Sequence, residues 1–130
     1  MHSKKPICGV LAVALCAGVS YDVARDACRR SMAEGRQRFG GRTHHKQRIK
    51  ALSSLAVKFV DLTFNGNITL GNWVASYAVP GALYMVNVTG HVVAIRDGFV
   101  IDQFSRCHIS QHTSRRKQVK NITRITGKGW

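Results

Sequence analysis

The chain has 130 residues, enough for one domain and too few for two of ordinary size. At 45% hydrophobic and 20% charged residues, it is neither a disordered tail nor a membrane bundle. Twenty Lys and Arg against six Asp and Glu give a formal net charge of +14, which points to a polyanionic or acidic neighbour and says nothing about fold.

The stretch from Ile7 to Ala17 is apolar nearly all round, as suits a buried helix, and Gly18 ends it. Ser20 is the expected N-cap of a helix from Tyr21 to about Ala33, with Asp22 and Asp26 early and Arg29-Arg30 late, as the helix dipole favours. Gly35 to Arg42 reads as a basic, glycine-containing loop. Thr43 is expected to cap a third helix, in which Ile49, Leu52, Leu55 and Ala56 recur at helical spacing. Val57 to Leu62 then predicts a short strand, and Asn65-Gly66-Asn67 a turn. Thr69 caps a short helix carrying Trp73, Val74 and Tyr77 on one side, and Pro80-Gly81 stops it.

Three strands follow, Leu83 to Val88, His91 to Arg96 and Phe99 to Phe104, the last two flanking the hairpin signal Asp97-Gly98. From Ser105 the chain is polar and basic, and Val119 to Ile125 alternates weakly enough to predict an edge strand. Trp73, Tyr77 and Tyr84 lie in apolar patterns and are expected in the core. Helices first and antiparallel sheet second define an α+β domain, a single one over 1–130 with a basic C-terminal segment at 105–130.

Four cysteines, Cys8, Cys16, Cys28 and Cys107, show no Cys-x-x-Cys spacing. On a helix Cys8 and Cys16 stand about 12 Å apart, beyond the roughly 7 Å Cα separation that a disulfide tolerates. Reduced thiols in a reducing compartment are therefore expected. Lys4-Lys5 before the apolar stretch Ile7 to Val19 has the shape of a secretory leader. That stretch is about 13 residues long, short of the ~20 that span a bilayer. Bulky Leu15 directly before Cys16 also disfavours a lipoprotein-type site. The expectation is a cytoplasmic protein with no membrane span.

The chemistry converges on three residues. A cysteine in the first turn of a helix sits among unsatisfied N–H groups that favour the thiolate, and Lys4 and Lys5 push the same way at Cys8. If Asp97-Gly98 is the turn, Val93 faces Asp102 and His91 faces Phe104. His91 and Val93 share a face, so Asp102 becomes the diagonal neighbour of His91 at about 7–8 Å between backbones. A carboxylate and an imidazole can close that gap, giving a base and its orienter. A three-residue loop would slip the register and turn Asp102 to the other face.

Cys8-Gly9-Val10-Leu11-Ala12-Val13-Ala14, followed by Gly18-Val19-Ser20-Tyr21-Asp22-Val23, resembles the nucleophile helix of small papain-like cysteine peptidases. The likeness is to compact phage-encoded versions and to the bacteriocin-processing peptidases. Residues 80–98, with Gly90-His91 opening a strand, and then Val100-Ile101-Asp102 match the pattern of a Gly-His strand and a hairpin ending in Asp. The resemblance spans roughly residues 6–28 and 69–104. It implies a papain-like fold of N-terminal helices on a small antiparallel sheet, with Cys8 as nucleophile, His91 as general base and acid, and Asp102 as orienter. It implies a cysteine peptidase or related acyl-transfer hydrolase that acts on a protein or peptide. One element of the wider pattern is missing, because no Gln or Asn lies among Met1 to Ile7 to stabilise an oxyanion. Ser3 and Lys5 are the candidate donors there, beside the Cys8 backbone N–H.

Cys107, His108 and His112 have donor types that suit a metal, but no second ligand cluster accompanies them, and neither metal nor cofactor is expected. His44-His45 reads as part of a solvated basic helix face. The basic surface candidates are Arg29, Arg30, Arg36, Arg38, Arg42, Lys46 and Arg48, then Arg115, Arg116 and Lys117. They suit an acidic substrate or non-specific nucleic acid. Only Phe39 interleaves aromatic character with them, so no dedicated single-strand binder is indicated. The alternative to an enzyme is a catalytically inactive basic binding protein on the same fold, acting on nucleic acid or an acidic host protein.

Overall fold

A computed structural model describes residues 8–31, 43–62, 67–102 and 106–126. The described elements run α1 (Cys8–Ala17), α2 (Tyr21–Arg30), α3 (His45–Ser54), β1 (Phe59–Leu62), α4 (Leu70–Tyr77), β2 (Leu83–Val88), β3 (His91–Arg96), β4 (Phe99–Ile101), β5 (Arg106–His108) and β6 (Val119–Ile125). Two 3-10 turns, Ile109–Gln111 and Thr113–Arg116, link β5 to β6. The strands form one antiparallel sheet in the order β1-β6-β2-β3-β4-β5. The α+β architecture follows the expectation.

Local signals explain most boundaries. Gly18 takes a left-handed φ of 67°, and the Val19 N–H reaches back to the Ala14 carbonyl at 3.1 Å, closing α1. The Ser20 hydroxyl accepts the Val23 N–H and starts α2, and Thr69 does the same for Asn72 in α4. In α3 the N-cap is His44 rather than Thr43, and the Gln47 side chain accepts the His44 N–H at 3.3 Å. That helix ends at Ser54 because Ala56 turns left-handed (φ 60°), so Ala56 lies outside the periodic face it was assigned to.

The sheet separates two cores. Val10, Val13, Ala14 and Cys16 of α1 pack with Ala24, Ala27 and Leu52 of α2 and α3 against Leu83, Met85, Val92, Ala94 and Ile125. On the opposite face Leu70, Trp73 and Ile109 cover Tyr84, Val86, Val93, Ile95, Val100 and Ile122. Trp73 and Tyr84 meet edge to face at 4.9 Å, and the Tyr84 hydroxyl accepts the Val79 N–H. Tyr77 is 59% exposed and does not join them, since α4 ends there and its last turn leaves the sheet.

Val119–Ile125 is not an edge. It lies between β1 and β2 with both faces covered, which is why its hydropathy hardly alternates. The described edges are β1 and β5, and β5 forms in the polar, basic stretch for which no strand before Val119 was expected. The Asn65-Gly66 turn, the Gly35–Arg42 loop and Phe104 lie outside the described residues. No single helix among the described residues is long and apolar enough to cross a membrane.

Candidate active site

Asp97 and Gly98 both take positive φ, 52° and 79°, the signature of a two-residue type I′ turn. The Asp97 side chain accepts the Gly81 N–H at 2.6 Å and ties the hairpin to the turn before β2. Ala94 faces Ile101 and Arg96 faces Phe99, so the register is the one the two-residue turn requires. Asp102, one residue beyond β4, stands diagonal to His91, and its Oδ2 lies 2.7 Å from His91 Nε2. Both side chains are largely buried, with 9% of His91 and 2% of Asp102 exposed.

Cys8 opens α1, where the first N–H groups have no helical acceptor. Its thiol hydrogen-bonds the His91 side chain and the Val92 backbone N–H. Because Asp102 holds Nε2, Nδ1 is the ring nitrogen left for sulfur. The strand's alternation turns His91 toward the face of Val93 and Ile95, whereas α1 packs on the face of Val92 and Ala94. Cysteine and histidine therefore meet at the end of the sheet, where β3 begins beneath the start of α1.

The charges are arranged to hold an ion pair. Burial pushes the Cys8 thiol up and is the largest single effect. The His91 hydrogen bond, the Val92 N–H and the charges of His91 and Arg48 together bring it below the ordinary thiol value. The Asp102 hydrogen bond, then the Cys8 bond, raise His91 to about 9 against the opposing effect of burial. Cys16 and Cys28 behave oppositely, since burial pushes them up to about 12 and about 11. All four cysteines are free.

A cleft of about 400 Å³ opens over Cys8 and His91, lined also by Gly9, Thr43, His44, His45, Arg48, Asn87, Thr89 and Lys120. Its described lining holds four basic side chains besides His91 and no carboxylate. Helix α3 is fixed beside it by two bonds. Gln47 Nε2 donates to the Cys28 carbonyl at 2.7 Å, and His45 Nε2 lies 3.2 Å from Asp61 Oδ2.

Arg48 is not a surface residue. It is 3% exposed, with Nη1 donating to the Thr43 carbonyl and to Thr43 Oγ1 at 3.0 and 2.7 Å, and Nε makes no hydrogen bond among the described residues. Grouping it with a charge run concealed this. Thr43 in turn packs so close to Gly9 that a Cβ there would overlap Thr43 Oγ1, which accounts for glycine after Cys8.

Of the other expected surface residues, Arg29, Arg30, Lys46, Arg116 and Lys117 are exposed. Asp26 pairs with Arg29 and Arg30 at 2.6 and 2.9 Å. Arg115 is half-buried against the His112 carbonyl. Arg36, Arg38, Arg42, Ser3 and Lys5 lie outside the described residues.

Cys107, His108 and His112 do not converge. His108 Nδ1 accepts the Ser110 N–H in a local turn, whereas His112 is fully buried and reaches Asp102 Oδ2 at 2.9 Å. His112 is the residue of this site that sequence reasoning missed. No protein-family model, curated protein or solved structure matches the chain.

Proposed function

We propose that the chain is a small papain-like cysteine peptidase or a related acyl-transfer hydrolase, in which Cys8 is the nucleophile, His91 the acid and base, and Asp102 the orienter. One observation carries the reading. A thiol at a helix start touches an imidazole whose other nitrogen is held 2.7 Å from a buried carboxylate, beside an open cleft.

In this reading the Cys8 thiolate attacks a substrate carbonyl carbon, a C–S bond forms, and the carbonyl electron pair moves to oxygen. The orphan N–H groups of the first turn of α1 face that developing charge. His91 then gives its proton to the leaving amine as the C–N bond breaks, leaving a thioester. Water adds to the thioester while His91 takes its proton, and the acid product departs with Cys8 again a thiolate. Asp102 keeps the His91 ring turned and balances its positive charge throughout. The basic cleft suits an acidic protein or peptide substrate. The four free thiols suit a reducing compartment, so the proposal puts this activity in the cytoplasm, that of a host cell if the chain is phage-encoded.

The test is a peptide-library digest read by mass spectrometry, with wild type beside Cys8→Ala. Cleavage products that vanish in the variant support the proposal. Identical product lists, together with nucleic-acid binding that falls steeply with salt, would favour the basic binding protein.

A further inference from the structure

The segment between the two 3-10 turns returns under the hairpin and brings His112 to the far side of Asp102. His112 has no exposed surface, and both its ring nitrogens are engaged. Nδ1 accepts the Ser114 backbone N–H at 3.0 Å, and Nε2 lies 2.9 Å from Asp102 Oδ2. A backbone N–H can only donate, so Nδ1 presents a lone pair and the ring proton sits on Nε2. His112 therefore donates to the same carboxylate oxygen that holds His91.

We infer that His112 is a positioning residue for the triad: it pins the Asp102 carboxylate so that Oδ2 stays on His91 Nε2. This rests on the reading of Cys8, His91 and Asp102 as the reacting groups. Asp102 lies one residue past the last ladder pair of β4, Ile101 with Ala94, so the ladder bonds do not themselves set its side chain. Its anchor is itself anchored. The His112 N–H donates to the Ile109 carbonyl, and its carbonyl accepts from the Arg115 N–H and from Arg115 Nη1 at 3.2 and 3.0 Å. The Ile109 N–H in turn donates to the Gly98 carbonyl at 2.8 Å, joining this turn to the hairpin that carries Asp102. The result is a chain of fixed groups from backbone to His112 to Asp102 to His91 to Cys8. Removing the partner behind a ligating side chain in metal sites costs about 10- to 100-fold, and a loss at the lower end of that scale is expected for this analogous anchor.

The test uses the full-length protein and the rate at which iodoacetamide modifies Cys8 at about pH 6, where an ordinary thiol reacts slowly. His112→Leu, which fills the space without a donor, is expected to slow Cys8 by about tenfold. It should also raise the pH at which Cys8 reactivity first appears, because a loosened Asp102 holds the His91 proton, and with it the paired thiolate, less well. His112→Gln, which restores an N–H at similar reach, is expected to stay within about threefold of wild type. A long-range proton–nitrogen NMR spectrum of the wild type should find the His112 proton on Nε2, a readout that does not depend on any variant folding. A wild-type rate in His112→Leu, or a His112 proton on Nδ1, overturns the inference while leaving the triad reading intact. A Cys8 rate indifferent to His91→Ala instead overturns the triad reading, and this inference with it.

Discussion

His91 Nε2 and Asp102 Oδ2 lie 2.7 Å apart, with only 9% and 2% of their side chains exposed to solvent. In such surroundings a carboxylate bond to the charged imidazole is stronger than in water. That bond is the first reason the ring holds its proton up to about 9. Asp102→Asn removes the negative charge and keeps the shape. We expect the His91 ring to give up its proton at a pH that falls from about 9 toward the ordinary histidine value of about 6.5. The check is an NMR titration of the His91 ring signals in wild type and variant, and an unshifted midpoint would contradict the assignment.

The same shift sets a stability window. The folded-state value of His91 is raised, so its contribution is fully present below the unfolded value of about 6.5. It is lost as pH rises through about 9. Urea midpoints should decline across that interval in wild type and decline less in His91→Ala. Parallel declines would place the titrating group elsewhere.

This hairpin was legible because turn chemistry sets register: Asp97-Gly98 admits two positive φ angles, and a two-residue loop leaves Asp102 one possible face. The helix starts at Ser20 and Thr69 were legible for a similar reason, each being a local bond between a hydroxyl and a nearby N–H. The meeting of Cys8 with His91 was not, since it depends on how α1 packs on the sheet, and no local period encodes that. His112 escaped because it sits in a polar stretch where burial leaves no hydrophobic pattern. The one sequence hint is a repeated His-x-Ser, at His108 and His112. In both, the histidine Nδ1 accepts the N–H two residues on. β6 was misplaced because a strand covered on both faces and a weak edge strand look alike in hydropathy.

Arg48 is a buried cation whose nearest ionisable neighbours include Cys8 and Cys28. Burial lowers its own proton affinity while the thiols raise it. Arg48→Met should therefore slow Cys8 modification near pH 6 several-fold by withdrawing positive charge. It should change stability by only about 1 kcal/mol either way, since exchanging a buried cation for an apolar side chain is often neutral. Alkylation rates and urea melts on one preparation test both halves. An unchanged Cys8 rate would remove Arg48 from the site's electrostatics.

Gly9→Ala should destabilise by about 1–3 kcal/mol, the usual range for overpacking, because its Cβ would overlap Thr43 Oγ1. Thr43 must then move and release Arg48 Nη1. Thermal melting measures the loss, and a neutral melt would show that Thr43 can yield freely.

Ala56 adopts φ 60° at the end of α3 while the Val57 N–H reaches the Leu52 carbonyl at 3.0 Å, a helix stop that favours glycine. Its side chain is exposed. Ala56→Gly should therefore stabilise by about 0.5–1 kcal/mol, with Cys8 reactivity unchanged. A lower melting temperature would contradict this reading of the turn.

The most direct test of the central claim compares iodoacetamide modification of each cysteine at about pH 6 in wild type and His91→Ala, read by peptide mass spectrometry. Cys107, the other part-exposed thiol, is the internal comparison, since Cys16 and Cys28 are buried beyond the reagent's reach. The account predicts fast modification at Cys8 in wild type, slowed by about tenfold or more when the imidazole is removed. A Cys8 that reacts no faster than Cys107, or one whose speed survives the loss of His91, would contradict it.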